Sequence, residues 1–307
     1  MQSTEGRPMA DQYTMQDPTT QYPGPDESFE QQQEGPGLQQ EMAPKPDSGE
    51  SSYRGSGRLE GRRAVVTGAD SGIGRATAIA YAREGADVVL SYLPAEEADA
   101  REVVELVEQA GRRAVAVPGD VTDKAYCEQL IATAVAELGG IDILANIAGK
   151  QQHCPDILQL SDEQFDETYK TNVYAMFWLC KAAVPHLPPG SAIINTSSIQ
   201  GYQPAPILLD YASTKYAING FSKSLAAQLA PKGIRVNVVA PGPVWTPLQV
   251  VGGQPQEKLP EFGASEAPMG RPGQPAEMAP AYVFLASQES SYVSGETLAA
   301  TGGMPTP

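Results

Sequence analysis

The sequence predicts one α/β domain built on a doubly wound parallel sheet, preceded by a disordered N-terminal extension. Three observations predict it. From residue 58 onward, short apolar runs alternate with longer amphipathic stretches. A glycine-rich turn, Thr67-Gly68-Ala69-Asp70-Ser71-Gly72-Ile73-Gly74, follows the first apolar run. Further on, Tyr211 stands four residues before Lys215, and Ser198 lies thirteen residues before the tyrosine.

The extension comes first. Residues 1–57 hold nine Gln, seven Pro and ten acids against three bases, and Leu38 is their only Leu, Ile or Val. Such a segment buries too little apolar surface to offset its ordering entropy, so it reads as a disordered tail. It is either a solvated spacer or, on the strength of Tyr13, Tyr22, Phe29 and Tyr53, an arm that binds a partner or wraps a neighbouring subunit. Tyr53 itself is expected to dock, because Tyr53-Arg54-Gly55-Ser56-Gly57 leads directly into the first strand.

The elements of the domain, residues 58–307, follow in order. Strands are predicted over 63–67, 87–91, 114–117, 142–146, 192–196, 235–240 and 297–300. They are rich in Val, Ile and Leu on both faces, as in a sheet covered on both sides. Helices are predicted over 75–84, 98–110, 124–138, 161–186, 213–230 and 275–286. Right-handed crossovers then bring every strand's C-terminal end to one edge, where ligands bind.

Composition narrows the partners. A net charge of −16 and a pI near 4.5 repel phosphate backbones and anionic membrane surfaces, so neither nucleic acid nor membrane is expected as a partner. The cysteines are Cys127, Cys154 and Cys180, with no Cys-x-x-Cys pair, and there are two histidines, His153 and His186. No metal set and no disulfide framework follow from these, which fits a reducing compartment. Cys180 lies in an apolar helical stretch and reads as a core residue. Neither a signal peptide nor an 18-residue apolar run is visible, so the cytoplasm is expected.

The chemistry sits at the strand ends. Gly68, Gly72 and Gly74 let the backbone approach a pyrophosphate, and the helix that starts near Ile73 aims free N–H groups at it. Ser71 fills the turn. The second strand ends in Leu90-Ser91-Tyr92-Leu93, with Tyr92 where an NAD-specific site places a carboxylate. Glu96 and Glu97 come later, and Arg75 is the nearest base for a 2′-phosphate. NADP is therefore modestly favoured over NAD. Asp120 and Val121 follow the third strand, where a carboxylate could meet an adenine amino group or simply begin a helix. Asn146, Ala148 and Gly149 close the fourth strand against the cofactor. Tyr211 and Lys215 share a helix face. A tyrosine of pKa about 10 is a poor acid at neutral pH, and a nearby ammonium lowers that value.

These residues stand in the order of a known family. Residues 58–307 resemble the short-chain dehydrogenase/reductases, a Rossmann-fold family. The resemblance rests on Thr67-Gly68 with Gly72-Ile73-Gly74, Asp120, Asn146-Ile147-Ala148-Gly149, Asn172 within Thr171-Asn172-Val173, and Ser198. It continues through Tyr211/Lys215, Pro241-Gly242-Pro243-Val244-Trp245-Thr246, Pro268-Met269-Gly270-Arg271 and Gly302-Gly303. Ser91-Tyr92-Leu93-Pro94-Ala95-Glu96-Glu97, Gly149-Lys150-Gln151 and Ser197-Ser198-Ile199-Gln200 are similar to a bacterial branch holding general-stress-type oxidoreductases and an NADP-dependent aldehyde reductase. Members of that branch also carry a Pro/Gln-rich N-terminal extension.

The resemblance implies an NAD(P)(H)-dependent oxidoreductase that interconverts a carbonyl and an alcohol. It implies Tyr211 as proton donor, Ser198 as stabiliser of the carbonyl oxygen, Lys215 as ribose ligand, and Asn172 as holder of a relay water. Val244 and Thr246, beside Pro241 and Gly242, would meet the carboxamide side of the nicotinamide. A homo-oligomer, of the homotetrameric kind, is expected. The family's usual Asn-Asn-Ala-Gly is Asn-Ile-Ala-Gly here, so Ile147 removes an amide that would tie the central strand. Substrate choice should lie with residues 150–155, 200–209 and 247–267. Gln200, Tyr202 and Trp245 are candidate lining there, or ordinary core for the two aromatic residues. Pro247, Gly252, Gly253, Pro255 and Pro260 suggest a mobile lid. Two other classes stay open: a noncatalytic dinucleotide sensor on the same fold, and a stress protein that acts through its hydrophilic tail.

Overall fold

The computed structural model describes residues 10–306. Seven parallel strands form one sheet in the order β3-β2-β1-β4-β5-β6-β7. In chain order they are β1 (Arg63–Thr67), β2 (Asp87–Tyr92), β3 (Ala114–Pro118), β4 (Ile143–Asn146), β5 (Ala192–Thr196), β6 (Arg235–Pro241) and β7 (Thr297–Ala300). The helices are α1 (Gly72–Arg83), α2 (Glu97–Gln109), α3 (Lys124–Leu138), α4 (Asp162–Tyr169), α5 (Ala175–Ala183), α6 (Leu209–Leu229) and α7 (Pro275–Ala286).

Successive strand residues alternate between two cores, as the pleat requires. Val66, Leu90, Ala145 and Ile194 pack with α1, α2 and α7 on one face. Val65, Val89, Leu144 and Ile193 pack with α3, α5 and α6 on the other. Strand order reverses between β1 and β4, which opens a crevice at their C-terminal ends.

Three local results differ from the sequence reading. The single helix expected over 161–186 is broken by a π turn, Lys170–Tyr174, between α4 and α5. Thr171-Asn172-Val173 are poor helix formers, and π turns cluster at functional sites. Helix α6 starts at Leu209, four residues before the expected start at 213, after a short 3₁₀ turn. Lastly, the central strand is tied without the missing amide at Ile147. The Thr67 hydroxyl accepts from the Ile147 and Ala148 N–H groups at 2.9 and 3.0 Å. The Asn146 amide donates to the Asn195 side chain at 2.8 Å, and Asn195 donates in turn to Ser222.

The largest difference concerns the extension. Residues 1–9 of the expected disordered segment lie outside the described residues. Residues 10–57 lie packed against the domain, with Phe29, Met42 and Tyr53 buried. The physical reason is that this arm is held by aromatic rings and polar contacts, which a count of aliphatic residues misses. Domain arginines reach its backbone: Arg83 donates to the carbonyls of Gly49 and Glu50, and Arg271 to that of Pro18. The Tyr53 hydroxyl donates to Glu84 at 2.7 Å, and Tyr22 donates to Asp47 within the arm at 2.6 Å. A third apolar cluster joins Phe29 and Met42 to Trp245, Val250, Leu259 and Phe262.

Candidate active site

One large cavity, about 750 Å³, occupies the crevice at the strand ends. The β1–α1 turn forms one bank. Gly72 has φ +51°, a left-handed conformation that favours glycine, and Gly74 lies so close to the turn that a Cβ would stand 1.8 Å from the Gly68 carbonyl oxygen. The turn is therefore a tight cradle that ends on the open N-terminus of α1. It suits a dinucleotide pyrophosphate, because the first N–H groups of a helix have no intrahelical acceptor. Ser71, Ile73, Tyr92, Asp120, Val121, Ala148 and Gly149 line the same cavity, as do Pro241, Gly242, Val244 and Thr246.

The opposite bank carries the reactive groups. Ser198 follows β5 in extended backbone, and its hydroxyl accepts from the Gln200 N–H at 3.1 Å. Its neighbour Ser197 donates to the Lys215 carbonyl at 3.2 Å. Tyr211 and Lys215 stand one turn apart on α6, and both side chains face the cavity. The Lys215 ammonium donates to the Thr196 carbonyl at 3.0 Å and sits 5.0 Å from the centre of the Tyr211 ring.

Both groups are deeply buried, and this decides their protonation. Desolvation pushes Tyr211 up to about 12, against a lowering hydrogen bond from Ser198. Desolvation also pulls Lys215 down to about 7. The expected depression of the tyrosine by the ammonium is thus outweighed here, because the low-dielectric site disfavours both charged forms.

Asn146 and Asn172 do not line the main cavity. They flank a small adjoining one of about 10 Å³, beside Thr67 and Thr196. The Asn172 side chain is held at both ends of its amide: it accepts from the Lys150 N–H at 2.8 Å and donates to the Lys150 carbonyl at 2.9 Å and to Thr214 at 3.1 Å.

At the adenosine end the charge picture differs from the sequence reading. Arg75, the candidate for a 2′-phosphate, is buried under α2, ion-paired with Glu50 at 3.0 Å and Glu102 at 2.8 Å, and does not line the cavity. Tyr92 donates to Glu97 at 2.7 Å. Glu96, which comes after the second strand, lines the cavity together with Asp70. Burial, followed by the Asp70 charge, pushes Glu96 up to about 8, and burial also raises Asp70.

The three expected substrate segments all reach the cavity, through Gln151, Gln200, Leu208, Val251 and Phe262 among others. Trp245 and Tyr202 do not line it. Trp245 is fully buried, its ring 4.2 Å from that of Phe29. The expected lid is folded down. Gln151 donates to the Gly253 carbonyl at 2.7 Å, and the His153 N–H to that of Gly252 at 2.9 Å. Sequence reasoning missed Gly35, Pro36 and Gly37 of the arm, which also line the cavity. The available signal was the set of aromatic residues in the arm, Phe29 among them.

Comparison with known proteins fits this geometry. A family model described as "Enoyl-(Acyl carrier protein) reductase" matches residues 68–305. The uncharacterized oxidoreductase YghA of Escherichia coli is 58% identical over 289 residues, covering 94% of this chain and 98% of its own. The chloroplastic NADPH-dependent aldehyde reductase 1 of Arabidopsis thaliana is 41% identical over 274 residues, covering 87% of this chain and 94% of its own. A short-chain dehydrogenase of Burkholderia cenocepacia, solved in complex with NADP, superposes with a TM-score of 0.74 at 32% identity, covering 80% of this chain and 98% of that one. The chain belongs to the short-chain dehydrogenase/reductase family. It is an NAD(P)-dependent oxidoreductase.

Proposed function

We propose that the protein interconverts a small aldehyde or ketone with its alcohol, using NADP(H) in preference to NAD(H). The observation that carries this reading is the placement of Ser198, Tyr211 and Lys215 on one bank of the cavity whose other bank is the glycine cradle. The bound dinucleotide supplies or accepts a hydride at its nicotinamide ring. Tyr211 gives the proton to the carbonyl oxygen, or takes it back in the reverse direction. Ser198 donates a hydrogen bond to the same oxygen and stabilises its developing charge. Lys215 holds the nicotinamide ribose. Its ammonium can also bring the Tyr211 pKa down once that ribose gives it polar partners and relieves its own desolvation. Asn172 fixes the Lys150 backbone over this bank. Its amide oxygen accepts one hydrogen bond and keeps a second lone pair, with which Asn172 would hold the relay water.

NADP(H) is favoured by Tyr92 at the end of β2, where no carboxylate projects from the strand itself. The NADPH-dependent relative and the NADP complex support the same choice. Asp70 and Glu96 oppose it most when both are ionised, and near neutrality their raised pKa values leave one proton, and so a single charge, on the pair. The exposed aromatic residues Phe165, Tyr174 and Phe177 on the α4–α5 face support a homo-oligomer. Among the described residues no helix is long and apolar enough to cross a membrane.

A screen of small aldehydes, ketones and alcohols with NADPH and NADH tests the proposal. Carbonyl-dependent oxidation of NADPH is expected, at least as fast as that of NADH. A panel in which no carbonyl consumes either nucleotide contradicts it.

A further inference from the structure

The N-terminal arm crosses the mouth of the dinucleotide cleft and holds on to both of its banks. On the nucleotide bank, the Gln39 side chain accepts from the Gly72 N–H at 2.7 Å, at the first residue of α1. The same side chain donates to Ser48 at 2.9 Å. The backbone N–H groups of Gln39 and Gln40 both donate to the carboxylate of Asp99 on α2, at 2.5 and 3.2 Å. On the substrate bank, the Gln33 N–H donates to the Val250 carbonyl at 3.0 Å. Gly37 is pressed so close that a Cβ there would stand 2.5 Å from Val251. The Trp245 indole N–H donates to the Pro44 carbonyl at 2.8 Å. Between these anchors, Gly35, Pro36 and Gly37 face the cavity directly.

We infer that residues 35–39 are part of the dinucleotide site, with Gln39 as a positioning residue for the phosphate cradle. By taking the Gly72 N–H, Gln39 fixes the turn and leaves the Ile73 and Gly74 N–H groups as the donors for the pyrophosphate. The strap above them keeps water from that position. Because Gly72 and Val251 are joined through one short peptide segment, a nucleotide that orders the turn also holds the strap down. Arm docking and nucleotide binding are then linked, each strengthening the other by the same factor.

The inference rests on the dinucleotide reading of the cleft, and the test separates the two. NADPH is titrated by fluorescence into the full-length wild type, Gln39→Met and Gly37→Val, and hydrogen–deuterium exchange of residues 33–42 is followed with and without NADPH. Gln39→Met keeps the side-chain volume but loses the acceptor. Gly37→Val acts on the other bank, so the test survives if either variant folds poorly. The wild type is expected to bind NADPH and to exchange residues 33–42 more slowly when it is bound. Each variant should raise the Kd about tenfold, the scale of one lost hydrogen bond or contact. Gln39→Met should leave kcat at saturating NADPH within about twofold, since the reacting groups are untouched. Wild-type protein that binds neither NADPH nor NADH overturns the dinucleotide reading and this inference with it. Wild-type protein that binds NADPH without slowing exchange in 33–42, with both variants at the wild-type Kd, overturns this inference alone.

Discussion

The floor and the roof of the cleft are made from opposite kinds of sequence. The floor is the strand-end edge: the Gly68–Gly74 turn, Ser198 after β5, and Tyr211 with Lys215 on α6. Each position is constrained by the backbone, a bonded neighbour or the reaction, so few residue types can stand there. The roof is arm residues 29–44 laid over residues 245–262, joined by Phe29, Met42, Trp245, Val250, Leu259 and Phe262. Its contacts are aromatic faces, prolines and side-chain amides on backbone groups, for which many sequences would serve. Function-bearing geometry thus leaves a readable pattern in the chain, whereas an equally close-packed cover does not.

The comparison can be broken first at the floor, where the largest effect is expected. Tyr211→Phe keeps the ring but removes the transferable proton. Turnover with the best carbonyl should fall by about 10² or more. Steady-state kcat beside an NADPH titration checks this, and near-wild-type turnover by a folded variant refutes the assigned acid.

At the roof, Phe29→Ala removes a ring that packs, tilted by 44°, 4.2 Å from that of Trp245. It should cost about 3 kcal/mol of local stability. Hydrogen exchange should rise over 27–44 while the sheet stays protected. Unchanged exchange in the arm would mean that the third apolar cluster does not hold the roof.

A subtler test concerns the adenosine end. Glu96 is protonated below its raised pKa of about 8 and gains its charge as the pH climbs through that value. The preference for NADPH over NADH should therefore decline from pH 7 to pH 9, by roughly threefold to tenfold, through repulsion of the 2′-phosphate. Glu96→Gln should hold the ratio flat across that range. Parallel kcat/KM measurements with the two nucleotides decide it, and a flat wild-type profile removes Glu96 from cofactor choice.

The smallest effect is expected at the start of the arm. Gln12 bonds the Arg54 backbone on the outside of the molecule. Gln12→Ala should shift stability by less than about 0.5 kcal/mol and leave NADPH affinity unchanged. A larger shift in thermal melting would extend the roof to residues that do not touch the cleft.

Much of the floor is legible in the sequence. The strand-helix alternation placed all seven strands within a residue or so, because short runs apolar on both faces, set between long amphipathic stretches, fit few other elements. The Gly72 and Gly74 pattern encodes a steric demand. Asn172 was legible as a motif residue, but the π turn that carries it was not, since one inserted residue in a helix leaves no periodic signature. The position of Glu96 was not legible, because a 3₁₀ turn, Pro94–Glu96, redirects it into the cavity. Arg75 was misread because its partners, Glu50 and Glu102, are remote in sequence or on another helix. The arm was hardest: low aliphatic content predicts disorder when a segment must fold alone, and here the domain supplies the partners.

The division between floor and roof is tested most directly by one side-by-side measurement: NADPH Kd and kcat at saturating NADPH for Tyr211→Phe and Gln39→Met in the full-length chain. The expected pattern is crossed. Tyr211→Phe keeps its Kd and loses kcat by about 10², while Gln39→Met keeps its kcat and loses affinity by about tenfold. Variants that lose both quantities together, or a Gln39→Met protein that binds NADPH as the wild type does, would contradict a cleft whose floor carries the chemistry and whose roof carries part of the binding.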